Sequence, residues 1–123
     1  MTGRQSLGRW GESLAAAYLQ ERGYDILAQN YRTPYGELDL VARHAVANLI
    51  VFVEVKTRAT STFGFPEEAV TPRKQAHLLN AAQAYIQQHP DSRCNWRIDV
   101  IAIRRIGRNQ PAQIVHFENA LGM

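Results

Sequence analysis

The chain is poor in cysteine and in lysine, and it has no long apolar run. Cys94 is the one cysteine among 123 residues. That excludes an internal disulfide framework and points to a reducing compartment, the cytoplasm. No apolar run precedes the first helical pattern, so no signal peptide is expected. No segment approaches the length of a membrane span. The Walker and dinucleotide glycine fingerprints are missing too, which removes the common phosphate-cradling loops. His44, His77, His89 and His116 are scattered without zinc-ligand spacing and read as mostly surface residues. Cys94 has no nucleophile context. With no repeat, low-complexity tract or linker, residues 1–123 read as a single domain.

The scarcity of lysine is informative. Of 14 basic residues only Lys56 and Lys74 are lysine, leaving twelve arginines. Arginine is a broad fork that is always charged; lysine is a compact point charge that fits beside a phosphate oxygen or an attacking water. A lysine kept against this background marks a position to inspect. The net charge of +3 permits nucleic acid as a partner without requiring it. Apolar residues at 46% and charged residues at 20% are those of an ordinary globular protein.

Periodicity predicts a helix over Ser6–Arg22, with Ser6 as N-cap and Gly23 as the glycine that ends it. Leu7, Trp10, Leu14, Ala17 and Tyr18 form one apolar face. The other side, Gly8, Glu12, Ala15, Ala16 and Leu19, is also small or apolar, so the helix is expected to pack on both sides. Strands follow at Tyr24–Arg32 (packing through Ile26, Leu27 and Tyr31), Glu37–Ala42 and Leu49–Lys56. The run LIVFVEV is apolar on both faces, as in a central strand covered twice. Thr57–Pro66 reads as a polar loop. Thr71-Pro72 starts a second helix that packs through Leu78, Ala82, Tyr85 and Ile86 and stops at His89-Pro90-Asp91. Trp96–Ile103 and Gln113–Glu118 are the last strands. The order α-β-β-β-α-β-β is a mixed α/β domain with helices on one central sheet.

The acidic residues lie where the strands end. Residues i and i+2 of a strand share a side, so Glu37 pairs with Asp39 and Glu54 with Lys56. If the second and third strands form a hairpin centred near Val46, opposed positions sum to about 93, by the alternation rule. Asp39 then faces Glu54, and Glu37 faces Lys56. Two opposed carboxylates repel unless a cation lies between them. Mg²⁺ or Mn²⁺ suits such a site: Asp39 and Glu54 supply carboxylates and the Val55 carbonyl a third oxygen. Such an ion polarises a phosphoryl oxygen and acidifies a bound water. Lys56 would orient the hydroxide and stabilise developing charge. Glu12 would reach in from the first helix. Arg58, Arg73 and Lys74 are the candidates for phosphate contact, the last two in the first turn of the second helix. Each has a plainer reading. Glu54 and Lys56 could be a simple ion pair, Glu12 a first-turn acid favoured by the helix dipole, and Arg73 and Lys74 a solvated pair. Asp99, in mid-strand, reads as a structural acid paired with an arginine rather than an outer member of the site.

The segments GESLAAAYLQERGYDILAQNYR, GELDLVA, VFVEVKTR and RIDVIAI, in that order, resemble the YraN-type family of small uncharacterised bacterial proteins, the UPF0102 group. The resemblance runs from Gly8 to Ala120. It implies the restriction-endonuclease-like fold of the PD-(D/E)xK nuclease superfamily, in a layout similar to archaeal Holliday-junction resolvases. Position by position, it makes Asp39 the acid of the second strand, Glu54 and Lys56 the E-x-K pair, and Glu12 the resolvases' first-helix glutamate. Glu37 matches the family's G-E-[IL]-D-L motif without an assigned role. Leu38, not proline, precedes Asp39. The implied activity is Mg²⁺- or Mn²⁺-dependent cleavage of DNA, including branched or damaged DNA, and a two-fold junction would favour a homodimer. The competing readings are a nucleic-acid-binding or recombination accessory module without turnover, and a protein-interaction domain.

Overall fold

The structure, a computed structural model, describes residues 3–59, 70–90, 95–107 and 109–120. Most of the loop expected over Thr57–Pro66, together with Asp91 and Cys94, lies outside these residues. The described elements are α1 (Gly3–Glu21), β1 (Tyr24–Thr33), β2 (Gly36–His44), β3 (Leu49–Arg58), α2 (Pro72–Gln88), β4 (Asn95–Arg104) and β5 (Gln113–Phe117). The strands form one mixed sheet in the order β1-β2-β3-β4-β5. Only β3 and β4 run parallel, joined by the α2 crossover; the other pairs are antiparallel. This is the expected α-β-β-β-α-β-β arrangement, with β3 at the centre of the sheet. No described helix is long and apolar enough to cross a membrane.

The alternation of β3 builds two cores. Ile50 and Phe52 join Leu78, Ala81, Ala82 and Tyr85 of α2, with Ile98 and Val100 of β4. Val51 and Val53 join Ala15, Ala16 and Leu19 of α1, with Ile101 and Ile103. The strand's apolar run ends at Val53, and charge enters only in its last part. Glu54 and Lys56 occupy that end of β3.

Helix α1 differs in detail from expectation. It begins at Gly3, so Ser6 lies inside it rather than capping it. Its most buried face is Gly11, Ala15, Ala16 and Leu19, while Leu7, Trp10, Leu14 and Tyr18 flank it half-buried and Ala17 is exposed. Small residues win the centre because the helix lies close on the sheet: a Cβ at Gly11 would stand 2.0 Å from Thr57 Oγ1. Gly23 ends the helix at φ +88°, a left-handed conformation that costs glycine little. Helix α2 starts as expected. Thr71 Oγ1 accepts the Lys74 N–H at 3.2 Å, and Pro72 follows.

Strand β1 carries a bulge between Ile26 and Ala28. The extra residue, Leu27, is turned out to solvent instead of packing. Three positions further on, Asn30 has φ +52°. Across from it, Leu38 belongs to the α2-side core and Leu40 to the α1-side core. Two residues apart, these should share a face. Strand β2 is therefore twisted at the residue between them, Asp39.

Candidate functional site

The β2–β3 ladder pairs His44 with Leu49 through Leu40 with Val53, each pair summing to 93, the register expected from the hairpin. It stops there. The next position on each strand is Asp39 and Glu54. The twist at Asp39 carries its backbone off the ladder, and its side chain fills the gap: Asp39 Oδ2 accepts the Val55 N–H at 2.9 Å. In an extended strand a residue's N–H and C=O point to the same neighbour. The Val55 carbonyl is thus aimed at the Asp39 side of β3, where the ladder has ended.

Glu54 is buried, 5% exposed, and lies against Asp39. Burial, and then the Glu54 carboxylate beside it, push the Asp39 carboxyl up to about 8, although the Val55 N–H opposes the shift. Two carboxyls held this closely cannot both ionise cheaply without a cation. The nearest protein cation is not Lys56. Lys74 Nζ, from the first turn of α2, stands 3.2 Å from Glu54 Oε2. The approach lies off the line of a hydrogen bond, so this buried oxygen has a charge neighbour but no donor among the described residues. Lys56 shares the face of Glu54, is half-buried, and pairs with no acid among the described residues. The plain reading of Glu54 and Lys56 as an ion pair is thereby removed.

Glu12 borders the site. It lines an open cleft of about 520 Å³ with Gly8, Arg9, Asn30, Arg32 and Glu37. Burial raises its carboxyl pKa, and the charges of Glu37 and Glu54 add to the shift. With the Asn30 amide turned to satisfy its neighbours, its nitrogen donates to Glu37 Oε1 at 3.0 Å and Glu12 Oε1 at 3.2 Å. Glu37 therefore faces Glu12 and Arg32 (3.7 Å). It is not the ladder partner of Lys56, because that pairing ends at Leu40 and Val53. Asn30, unmarked in the sequence, is the link between the two glutamates.

Among the described residues no group of three or more His, Cys, Asp or Glu is gathered closely enough to hold a metal ion. A cation here would rest on Asp39, Glu54 and the Val55 carbonyl, with Glu12 outside them. Two carboxylates plus waters and substrate oxygens are what Mg²⁺ commonly uses. The buried, donor-less Glu54 Oε2 and the compressed acid pair fit such an ion. Of the candidates for phosphate contact, Arg58 and Arg73 are exposed, while Lys74 is held at Glu54.

Asp99 is wholly buried on the α1 side of β4, the face away from Glu54. Its Oδ1 accepts Arg97 Nε (2.9 Å) and the Asn119 N–H (2.8 Å), and its Oδ2 meets His116 Nε2 (2.7 Å). Burial alone would raise its pKa, but these bonds hold it below the usual carboxylate value. His116 is half-buried here rather than exposed, with Nδ1 3.3 Å from the Tyr18 hydroxyl. This network ties β4, β5 and α1 together, and Asp99 is the structural acid expected of it.

A model of the uncharacterised protein family UPF0102 matches residues 11–103. Proteins of that family from Syntrophotalea carbinolica and Syntrophomonas wolfei are 50% and 47% identical, over 95% and 94% of this chain and 92% and 97% of theirs. One from Roseiflexus castenholzii is 44% identical over 98% of both chains. Among solved structures, Pyrococcus furiosus SfsA in complex with Ca²⁺ is similar at 13% identity and a TM-score of 0.41, over 94% of this chain and 63% of that one.

Proposed function

We propose that this chain, which belongs to the uncharacterised protein family UPF0102, is a divalent-cation-dependent nuclease that hydrolyses DNA phosphodiester bonds. The observation that carries this reading is the meeting of Asp39 and Glu54 where the β2–β3 ladder ends, with Lys56, which pairs with no acid among the described residues, beside them. Nothing in packing calls for two acids at that point. Asp39, Glu54 and the Val55 carbonyl would hold Mg²⁺ or Mn²⁺, which when bound polarises a phosphoryl oxygen and acidifies water.

The chain's own residues supply the rest. Asp39 is kept in place by the Val55 N–H, so its free oxygen has a fixed direction. Glu54 is kept in place by burial. Lys56 offers three donors on a flexible stem to an attacking water or a non-bridging oxygen, where charge grows in the transition state. Glu12, with its raised pKa, is suited to exchange a proton with water at the mouth of the cleft. The exposed Arg58 and Arg73 flank the approach of the phosphate backbone. Branched or damaged DNA is the substrate class to try first, and a homodimer would match a two-fold junction.

The test is nicking of linear, single-stranded and four-way-junction DNA with Mg²⁺ or Mn²⁺. Glu54→Ala and Lys56→Ala should each abolish cleavage with the circular-dichroism spectrum unchanged. Glu12→Gln should slow it roughly 10²-fold, as loss of a general acid–base group does. Cation-dependent cleavage that survives Glu54→Ala would sink the reading. DNA binding without turnover would instead support an accessory module.

A further inference from the structure

The ammonium on Glu54 comes from the crossover helix, not from the strand that carries the acid. Glu54 Oε2 has Lys74 Nζ at 3.2 Å and no hydrogen-bond donor among the described residues, and its side chain is only 6% exposed. The Lys74 side chain is 39% exposed, so it reaches in from the protein surface. Its backbone is pinned, since its N–H is the one that Thr71 Oγ1 caps. A fixed backbone with a flexible four-carbon stem lets the ammonium swing without moving the helix. The oxygen it faces is one of the two that Glu54 can offer to a cation shared with Asp39. A divalent ion and an ammonium cannot both sit at one oxygen at this range without strong repulsion.

We infer that Lys74 is an exchangeable internal counter-ion: it holds Glu54 while no divalent ion is bound, and passes to a phosphate oxygen of the nucleic acid when one is. The inference rests on the cation-dependent nuclease reading and adds a residue to it. Lys74 lies in the first turn of α2 beside the exposed Arg73, where N–H groups and two positive side chains favour an anion. Swung away from Glu54, it becomes a phosphate contact. Its two roles exclude each other in time, and cation loading thereby promotes nucleic-acid binding.

Mn²⁺ titration of the purified chain, followed by electron paramagnetic resonance, tests this without any cleavage assay. Lys74→Gln should bind Mn²⁺ about tenfold more tightly than wild type, the scale of one charge-assisted contact no longer to be broken. Lys74→Arg keeps the charge and should stay within a few-fold of wild type by the same reasoning. A second measurement uses a fluorescent duplex with Ca²⁺ as the cation. Ca²⁺ should tighten duplex binding by wild type, and Lys74→Gln should lose most of that gain. Unchanged or weaker Mn²⁺ binding by Lys74→Gln, with wild-type binding abolished by Glu54→Gln, overturns the counter-ion role and leaves the nuclease reading standing. If neither wild type nor Lys74→Gln binds Mn²⁺, both fall. Binding by Lys74→Gln alone supports the inference most strongly, since the lysine then blocks the site outright.

Discussion

Asp39 Oδ2 accepts the Val55 N–H at 2.9 Å, a side chain standing in for the ladder partner that β2 ceases to provide. The bond holds one acid against a second, Glu54, which is nearly out of solvent. Stability should record the strain of that arrangement.

The Asp39 carboxyl has an ordinary value of 3.8, raised in the folded chain to about 8. Below 3.8 both folded and unfolded states carry the proton, and Asp39 is neutral to the balance. Between the two values the folded state binds the proton and the unfolded state does not. Stability therefore falls as pH rises through this window and levels off above it. Urea denaturation in EDTA from pH 4 to 9 should show this decline, and Asp39→Asn should remove its share of it. A saturating divalent cation should flatten the same stretch, because it takes the place of the proton. An Asp39→Asn profile parallel to wild type would refute the assignment.

Gly11 sets how closely α1 approaches β3. Glycine to alanine in a helix ordinarily stabilises by about 1 kcal/mol. Here the added Cβ would meet Thr57 Oγ1 at 2.0 Å and Thr57 Cγ2 at 2.9 Å. The overpacking should win, with Gly11→Ala costing about 1–3 kcal/mol. The double variant Gly11→Ala/Thr57→Ala should recover much of the loss, since only the Thr57 Cβ, at 3.0 Å, remains in the way. A double-mutant cycle in urea reads the coupling; strict additivity would show that the contact does not control the spacing.

Asp99 should matter to the fold and not to the site. Removing its charge leaves Arg97 and His116 facing a poorer partner in the interior. Asp99→Asn is expected to cost about 3 kcal/mol or more, as when one member of a buried pair is lost. Its Mn²⁺ affinity should remain that of wild type, because Asp99 lies on the α1 side of the sheet and Glu54 on the other. Loss of cation binding at unchanged stability would place Asp99 in the site after all.

The sequence carried the features whose causes are local. Alternation and the short break at Val46 led to the β2–β3 register, and with it to Asp39 facing Glu54. Thr71-Pro72 marked the start of α2 because a cap is a two-residue signal. What stayed hidden depends on distant approach. Nothing local separates Gly11 from Gly8, yet only Gly11 lies against Thr57. Leu27 looked like core and sits on a bulge, because one extra residue in a strand leaves no mark in its alternation. His116 looked like a surface residue until β5 brought it to Asp99. In the sequence Lys74 is a candidate phosphate contact or half of a solvated pair, and its place on Glu54 depends on how the crossover helix docks. The scarcity of lysine was the signal that could have drawn the two together.

The parallel pairing of β3 with β4 spans the whole of both strands and requires the crossover between them to be complete. The β2–β3 hairpin needs only its own short turn. The two acids are thus brought face to face by a local event, and Lys74 by a non-local one, whose loop-closure entropy is larger. During synthesis the strands bearing Asp39 and Glu54 emerge before the helix bearing Lys74. Any pairing of the two acids that precedes the docking of α2 leaves them facing water and ions without Lys74.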